Sequence, residues 1–221
     1  MILIVDTETT GIDPKKDSLI ELAGAVYDEE HGLLDCQSCI VCSKDGNNAA
    51  FDINRIDPAL FPKNRTPHID MWWELVDGCR AIVAHNASFD RQWLPATNEQ
   101  KWLCSIRDIK WPGGTGKLET LALNHGVAVL PGHRAIYDVL TLVRVFDAVR
   151  AMGVSVSGLI DAALAPKDLW QSHQQFAKND EARSFGFAWD AERKGWYGRF
   201  TKEESAAWPE TMPFPVSLRS K

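Results

Sequence analysis

The sequence predicts a layered α/β or α+β domain followed by a small aromatic-rich module. Three observations carry this expectation. Short apolar runs bounded by turn residues crowd the first half of the chain, amphipathic helical patterns follow them, and beyond residue 165 the helical period fades while tryptophans accumulate.

Residues 2–5 form an all-apolar run that ends at Asp6, which suits a central strand covered on both faces. Residues 22–27 and 33–41 read as the next two strands, joined through the acidic turn Asp28-Glu29-Glu30. Between the first two lies turn chemistry, Thr9-Thr10-Gly11-Ile12-Asp13-Pro14. Residues 54–66 hold two prolines and read as irregular, whereas residues 67–76 read as a helix opened by a proline. Residues 80–84 are a fourth apolar strand, His85-Asn86 a polar corner, residues 88–94 a helix start and residues 102–104 a fifth strand. Residues 117–125 set Leu118, Leu121, Ala122 and His125 on one helical face. The longest helical pattern is 135–152, where Ile136, Val139, Leu140, Val143, Phe146 and Val149 recur at three- and four-residue intervals. The expected organisation is a main domain over 1–154, a linker over 155–166, an α+β accessory module over 167–208 and a proline-punctuated tail over 209–221.

The formal net charge of −6 excludes a protein that coats nucleic acid through its overall charge, but leaves room for one that holds a few nucleotides at a strand end. The charge is unevenly divided. Residues 1–164 carry 15 Lys+Arg against 22 Asp+Glu, and residues 165–221 carry 9 against 8. There is no apolar run of ~18 residues, and Met1 leads through four apolar residues into acids instead of a basic region. A cytoplasmic protein with no membrane partner is expected. The five cysteines are too few and too scattered for a disulfide framework. Cys36, Cys39 and Cys42 mimic a zinc half-site, yet on a strand a spacing of three puts Cys39 on the face opposite the other two, so packed thiols are expected.

Three acidic segments carry chemistry. In Asp6-Thr7-Glu8, strand alternation puts both carboxylates on one face, an arrangement that repels unless a cation neutralises it. In His85-Asn86-Ala87-Ser88-Phe89-Asp90, Asp90 falls at a strand-to-helix junction; a first-turn acid beside the helix dipole is its simpler role. In His133-Arg134-Ala135-Ile136-Tyr137-Asp138, Asp138 falls in the first turns of the long helix with His133 in the loop before it, either as a cap or as a mobile imidazole.

Taken in order, Asp6-x-Glu8-Thr9-Thr10-Gly11, His85-Asn86-x-x-Phe89-Asp90 and His133-x-x-x-x-Asp138 resemble the DEDDh group of 3′-to-5′ exonucleases, within the ribonuclease H-like superfamily. The resemblance spans about residues 1–150, includes all five residues of that family's active site, and is strongest to the exodeoxyribonuclease X branch. It implies a mixed five-stranded sheet flanked by helices and two Mg²⁺ ions, replaceable by Mn²⁺, on Asp6, Glu8, Asp90 and Asp138. Asp6 would bridge the ions, Glu8 and Asp138 would serve the nucleophile side, and Asp90 the leaving-group side. His133 would be the general base, imidazole being the side chain that exchanges protons near neutral pH. The implied partner is a DNA 3′ end, single-stranded or a frayed duplex, and the implied product is nucleoside 5′-monophosphate. Thr9, Thr10, Gly11, Ile12, His85 and Asn86 are expected to contact the terminal nucleotide, with Ile12 as a wedge against its base.

Two further features stay open at this level. Gly113-Gly114-Thr115-Gly116-Lys117 lacks the full phosphate-loop pattern, so it reads as a flexible lead-in to a helix, with Lys117 a candidate phosphate contact. The carboxyl-terminal segment resembles a small uncharacterised module of nucleic-acid-handling proteins, a helix followed by a short hairpin; it departs from the end expected of the exodeoxyribonuclease X branch. There Trp196 is a candidate base-stacking residue with Arg193 and Lys194 beside it, and Trp189 is expected to pack. RNA trimming and a binding module without turnover are the alternatives, and no heptad repeat or other signature fixes an oligomeric state.

Overall fold

A computed structural model describes residues 1–41, 46–60, 68–97, 99–174, 179–190 and 193–219. They fall into two compact units, Met1–Leu164 and Ala165–Lys221.

In the first unit the strands β1 (Ile2–Thr9), β2 (Leu19–Asp28) and β3 (Gly32–Ile40) come first. A one-turn helix α1 (Phe51–Asn54), helix α2 (His68–Val76), strand β4 (Ala81–Ala84), one-turn helix α3 (Ala87–Asp90) and strand β5 (Lys101–Cys104) follow. Helices α4 (Leu118–Asn124), α5 (Ala135–Ala151) and α6 (Val156–Leu164) complete it. The sheet order is β3-β2-β1-β4-β5, antiparallel across β3-β2-β1 and parallel across β1-β4-β5. This is the expected mixed five-stranded sheet flanked by helices, and β1 is its centre.

Period-two alternation divides β1 between two cores. Ile2 and Ile4 join Ala23, Ala25, Val83, Val139, Leu142 and Phe146 beneath α5, while Leu3 and Val5 join Leu22, Ile82, Trp72 and Leu75 beneath α2. Gly24 lets α2 approach, because a Cβ there would lie 2.7 Å from Leu75 Cδ1. The same alternation separates the cysteines as expected: Cys36 packs on the α5 side and Cys39 on the α2 side. Both are free thiols, as are Cys79 and Cys104; Cys42 lies outside the described residues.

Residues 156–164 are not the expected linker. They form α6, whose Val156, Ile160 and Ala163 are buried in the core beneath α5, and Glu29 caps its start by accepting the Val156 and Ser157 backbone N–H groups at 2.9 and 3.0 Å. The sequence hides this helix because it is only nine residues long and its cap comes from 127 residues earlier in the chain.

The second unit is a four-stranded sheet, order β7-β8-β6-β9, with three short helices among the described residues. Its elements are β6 (Asp168–Ser172), α7 (Asn179–Ser184), β7 (Ala188–Asp190), β8 (Gly195–Phe200), α8 (Lys202–Ser205), α9 (Trp208–Thr211) and β9 (Val216–Arg219). The expected helix and hairpin are α7 and β7-β8. Residues 209–219 are not a loose tail, since β9 pairs along β6 and Phe214 enters the core with Phe187, Trp196 and Phe200. A unit this small has few residues to bury, so large aromatics supply most of its apolar area. Among the described residues no helix is long and apolar enough to cross a membrane.

Replacing the fully buried Ile160 by Ala is expected to destabilise the chain by about 2–5 kcal/mol. Thermal melting reads this directly, and an unchanged midpoint would restore the linker.

Candidate active site

The alternation that buries Ile2 and Ile4 under α5 continues into Asp6 and Glu8, so both carboxylates emerge on the α5 side as β1 leaves the apolar core. Asp138 lies in the first turn of α5 and meets them there. One oxygen from each of Asp6, Glu8 and Asp138 falls within 4.8 Å of the others, close enough for all three to share a single cation. Asp90 approaches from the start of the segment after β4; it is 2% exposed and its Oδ1 accepts the Thr7 hydroxyl at 2.8 Å. His133 is exposed at a left-handed φ of 64°, and its backbone N–H donates to Asp138 Oδ2 at 3.3 Å. Of the five residues expected from the sequence, the structure groups Asp6, Glu8 and Asp138 as possible ligands of one ion; Asp90 is tied to β1 through Thr7, and His133 to Asp138 through its backbone.

Crowded like charges show in their proton affinities. Burial, then the Asp90, Asp138, Glu8 and Glu21 carboxylates, hold Asp6 well above the ordinary carboxylate range. Burial, then Asp138 and Glu21, push Glu8 up to about 7, against a hydrogen bond from Asn54. Burial raises Asp90 to about 7 despite the Thr7 hydrogen bond. Burial raises Asp138 to about 6, opposed by the His133 backbone and ring. An oxygen-only donor set with surplus negative charge fits a hard divalent cation such as Mg²⁺.

Three contributors were not legible as site residues. Glu21 is directly opposite Glu8 in the β1-β2 register and is 1% exposed. It accepts Arg134 Nε and Nη2 at 3.0 and 3.1 Å and the Ala135 backbone N–H at 3.0 Å, which fixes the start of α5 and hence Asp138 one turn later. An acid inside the apolar run Leu19-Ile20-Glu21-Leu22-Ala23 was the available signal, but starting the strand at Leu22 left it out. Asn54, also 1% exposed, donates to the Thr9 carbonyl at 3.1 Å and is itself held by Asn48 Nδ2 at 2.8 Å. Thr7, on the α2 side of β1, fixes Asp90.

The expected nucleotide contacts divide. Thr9 and Thr10 are buried, and their hydroxyls are bonded within the turn, to the Gly11 carbonyl at 2.5 Å and from the Ser18 N–H at 2.9 Å. They shape the turn. Gly11 suits the turn because a Cβ there would displace the Asp17 carboxylate, and Ile12 stands 84% exposed beyond it. His85 is half-buried with Nδ1 2.7 Å from Ser105 Oγ, and burial lowers its pKa against the pull of Glu119. Asn86 opens α3 in a left-handed conformation, φ 77°, and Lys117 is exposed at the start of α4. Trp196 is only 5% exposed in the core of the second unit under Arg183, leaving no open ring face for a base, whereas Trp189, expected to pack, is 49% exposed.

The exonuclease family model, RNase_T, matches residues 3–146, a stretch that carries Asp6, Glu8, Asp90, His133 and Asp138. The chain belongs to the exonuclease family. Within the exonuclease family, exodeoxyribonuclease 10 of Escherichia coli K12 is 28% identical over 176 residues, which cover 75% of this chain and 76% of that protein. The DNA polymerase III epsilon subunit of Treponema pallidum is 26% identical over 170 residues, covering 69% and 78%. Among solved structures, exonuclease X in complex with 5′ overhanging duplex DNA superposes with a TM-score of 0.57 at 27% identity, covering 74% of this chain and 99% of that one. Escherichia coli exonuclease I in complex with a dT13 oligonucleotide shares the fold at a TM-score of 0.56 and 18% identity, over 77% of this chain and 48% of that one.

The raised carboxyls bind protons more tightly in the folded chain than in the unfolded chain, where acids titrate near about 4. Between there and about 7 the unfolded chain therefore carries fewer of these protons, and folding stability falls as pH rises. In chelator at alkaline pH, Asp6→Asn is expected to melt higher than the wild type. Mg²⁺ should raise the wild-type midpoint more at alkaline pH than at pH near 5, and an equal rise at both would contradict this electrostatic account.

Proposed function

We propose that this exonuclease hydrolyses DNA from its 3′ end and releases nucleoside 5′-monophosphates. The observation that carries the reading is the convergence of Asp6, Glu8 and Asp138 within 4.8 Å of one another, in a chain that matches the exonuclease family across that site. The choice of DNA is supported by the relatives, an exodeoxyribonuclease and an exonuclease bound to duplex DNA.

Asp6, Glu8, Asp90 and Asp138 hold two divalent ions, Mg²⁺ in the first place and Mn²⁺ as a substitute, since all the donors are carboxylate oxygens. Two such ions when bound acidify the attacking water and offset negative charge on the phosphate. His133 accepts the proton of that water: its exposed imidazole stands beside Asp138 on a loop whose backbone is tied to that carboxylate. The water oxygen bonds to phosphorus, the bond from phosphorus to the 3′ oxygen of the penultimate nucleotide breaks, and that oxygen takes a proton from solvent. Glu21 and Arg134 do not react; they keep α5 and its carboxylate in register with β1.

At the rim, Ile12 is the apolar residue free to press on a terminal base, because its side chain is 84% exposed. Gly11 leaves backbone accessible beside it, His85 and Asn86 follow the carboxyl end of the neighbouring parallel strand β4, and Lys117 supplies a charge for phosphate.

Matched DNA and RNA with one end blocked, supplied with Mg²⁺, Mn²⁺ or chelator, test the reading. Hydrolysis is expected only with a metal and a free 3′ end, and faster on DNA. Asp6→Ala and Asp138→Ala should lower turnover by at least about a thousandfold, whereas cleavage from a blocked 3′ end or by Asp6→Ala would refute the assignment.

His133→Ala is expected to lower kcat by about 10²–10⁴-fold while KM changes little. A wild-type kcat in that variant would remove His133 as the base.

A further inference from the structure

The second sheet has two unlike faces. Trp196 and Phe200 of β8 turn into the core with Trp170 of β6 and Val216 of β9. Alternation then sends Tyr197 and Arg199 to the opposite face, where the register sets Leu169 of β6 between Arg199 on one neighbouring strand and Arg219 on the other. Lys167, Arg193, Tyr197, Arg199 and Arg219 surround a recess of about 680 Å³ there, with Asp168 and Leu169 completing the lining.

Several of these cations are already oriented. Arg193 pairs with Asp190 at 2.7 Å and lies 5.8 Å over the Tyr197 ring. Arg219 donates through Nε to Gln171 Oε1 at 2.8 Å, a neutral partner, and has no acidic partner among the described residues. Arg199 is exposed and makes no ion pair among the described residues. Four cations, one of them already paired with Asp190, thus line a recess to which Asp168 also contributes, in a unit whose total charge is close to balance. Like charges gathered on an open face favour an anionic ligand.

Neighbouring strands lie about 4.8 Å apart, so the backbones bearing Arg199 and Arg219, two strands apart, are separated by about 10 Å. A chain of repeating phosphates can lie along such a row and meet several of its cations at once. We infer that this face of the carboxyl-terminal sheet grips the phosphodiester backbone of single-stranded nucleic acid, as a second binding site for the polymer whose end the carboxylate site hydrolyses. The choice of nucleic acid among polyanions rests on the proposed nuclease activity. It replaces the role expected of Trp196, which the fold spends on its core.

The test uses the full chain in chelator, with labelled DNA and RNA strands of about 20 nucleotides over a salt series. Arg199→Glu with Arg219→Glu is expected to weaken binding at least tenfold. It should also flatten the dependence of log affinity on log salt by about 1.4, since each phosphate no longer neutralised removes roughly 0.7 from the slope. The milder Arg199→Gln with Arg219→Gln should fall between, which guards against a folding defect in the charge reversal. Hydrolysis of a trinucleotide in Mg²⁺ should be unchanged, since neither arginine belongs to the carboxylate site. Binding within twofold of wild type in both variants would overturn the inference, as would tighter binding of a glutamate-rich peptide than of either strand. If no substrate were hydrolysed by the wild type while charge reversal still released the long strand, the nuclease reading would fail and the grip would stand.

Discussion

Carboxylates held a few ångströms apart repel, and the exonuclease unit is arranged around that repulsion. Asp6 and Glu8 lie on the face of β1 that has just finished packing Ile2 and Ile4 beneath α5, and Asp138 comes down onto the same face from the first turn of that helix. Apolar burial along the rest of β1 and α5 holds the acids together against their charge. Burial first, and the neighbouring carboxylates after it, raise the proton affinities of Asp6 and Glu8, and the same negative charge suits the place to a cation.

The supporting residues answer the same constraint. Glu21 adds a further negative charge opposite Glu8, yet spends it on Arg134 and on the first backbone N–H of α5. An acid that increases the repulsion is thereby also the tether that aligns the helix. Asn54 works from the other side, holding the Thr9 carbonyl and contributing a hydrogen bond to Glu8. Thr7 faces away from the cluster and fixes Asp90. One strand thus positions three acids, two through its own side chains and one through the hydroxyl between them.

Much of this was legible in the sequence, and the exceptions have physical reasons. The acids of β1 were readable because strand alternation needs only a spacing of two, and Asp138 because a long helix advertises its first turn. Glu21 and Asn54 matter through tertiary partners more than a hundred and about forty-five positions away, which no local period encodes. Helix α6 escaped because Glu29, distant in sequence, caps it. Trp196 was misread for a related reason: tryptophan beside arginine looks alike in a base-stacking platform and in the core of a small unit, and only the pairing of β9 with β6 shows how few other residues that core has.

The two units divide the charge of the chain. The first gathers acids that could hold a cation, and the second displays arginines on the sheet face turned away from its core. Everything proposed for catalysis depends on the first of these. Titration of the full chain with Mn²⁺, following the free ion by electron paramagnetic resonance, tests it most directly. The wild type should bind Mn²⁺ saturably and more tightly as pH rises through about 7, where Glu8 and Asp90 lose their protons, and Asp6→Asn should lose most of that binding. Equal binding by the two proteins, or hydrolysis by a wild type that takes up no ion, would contradict the account.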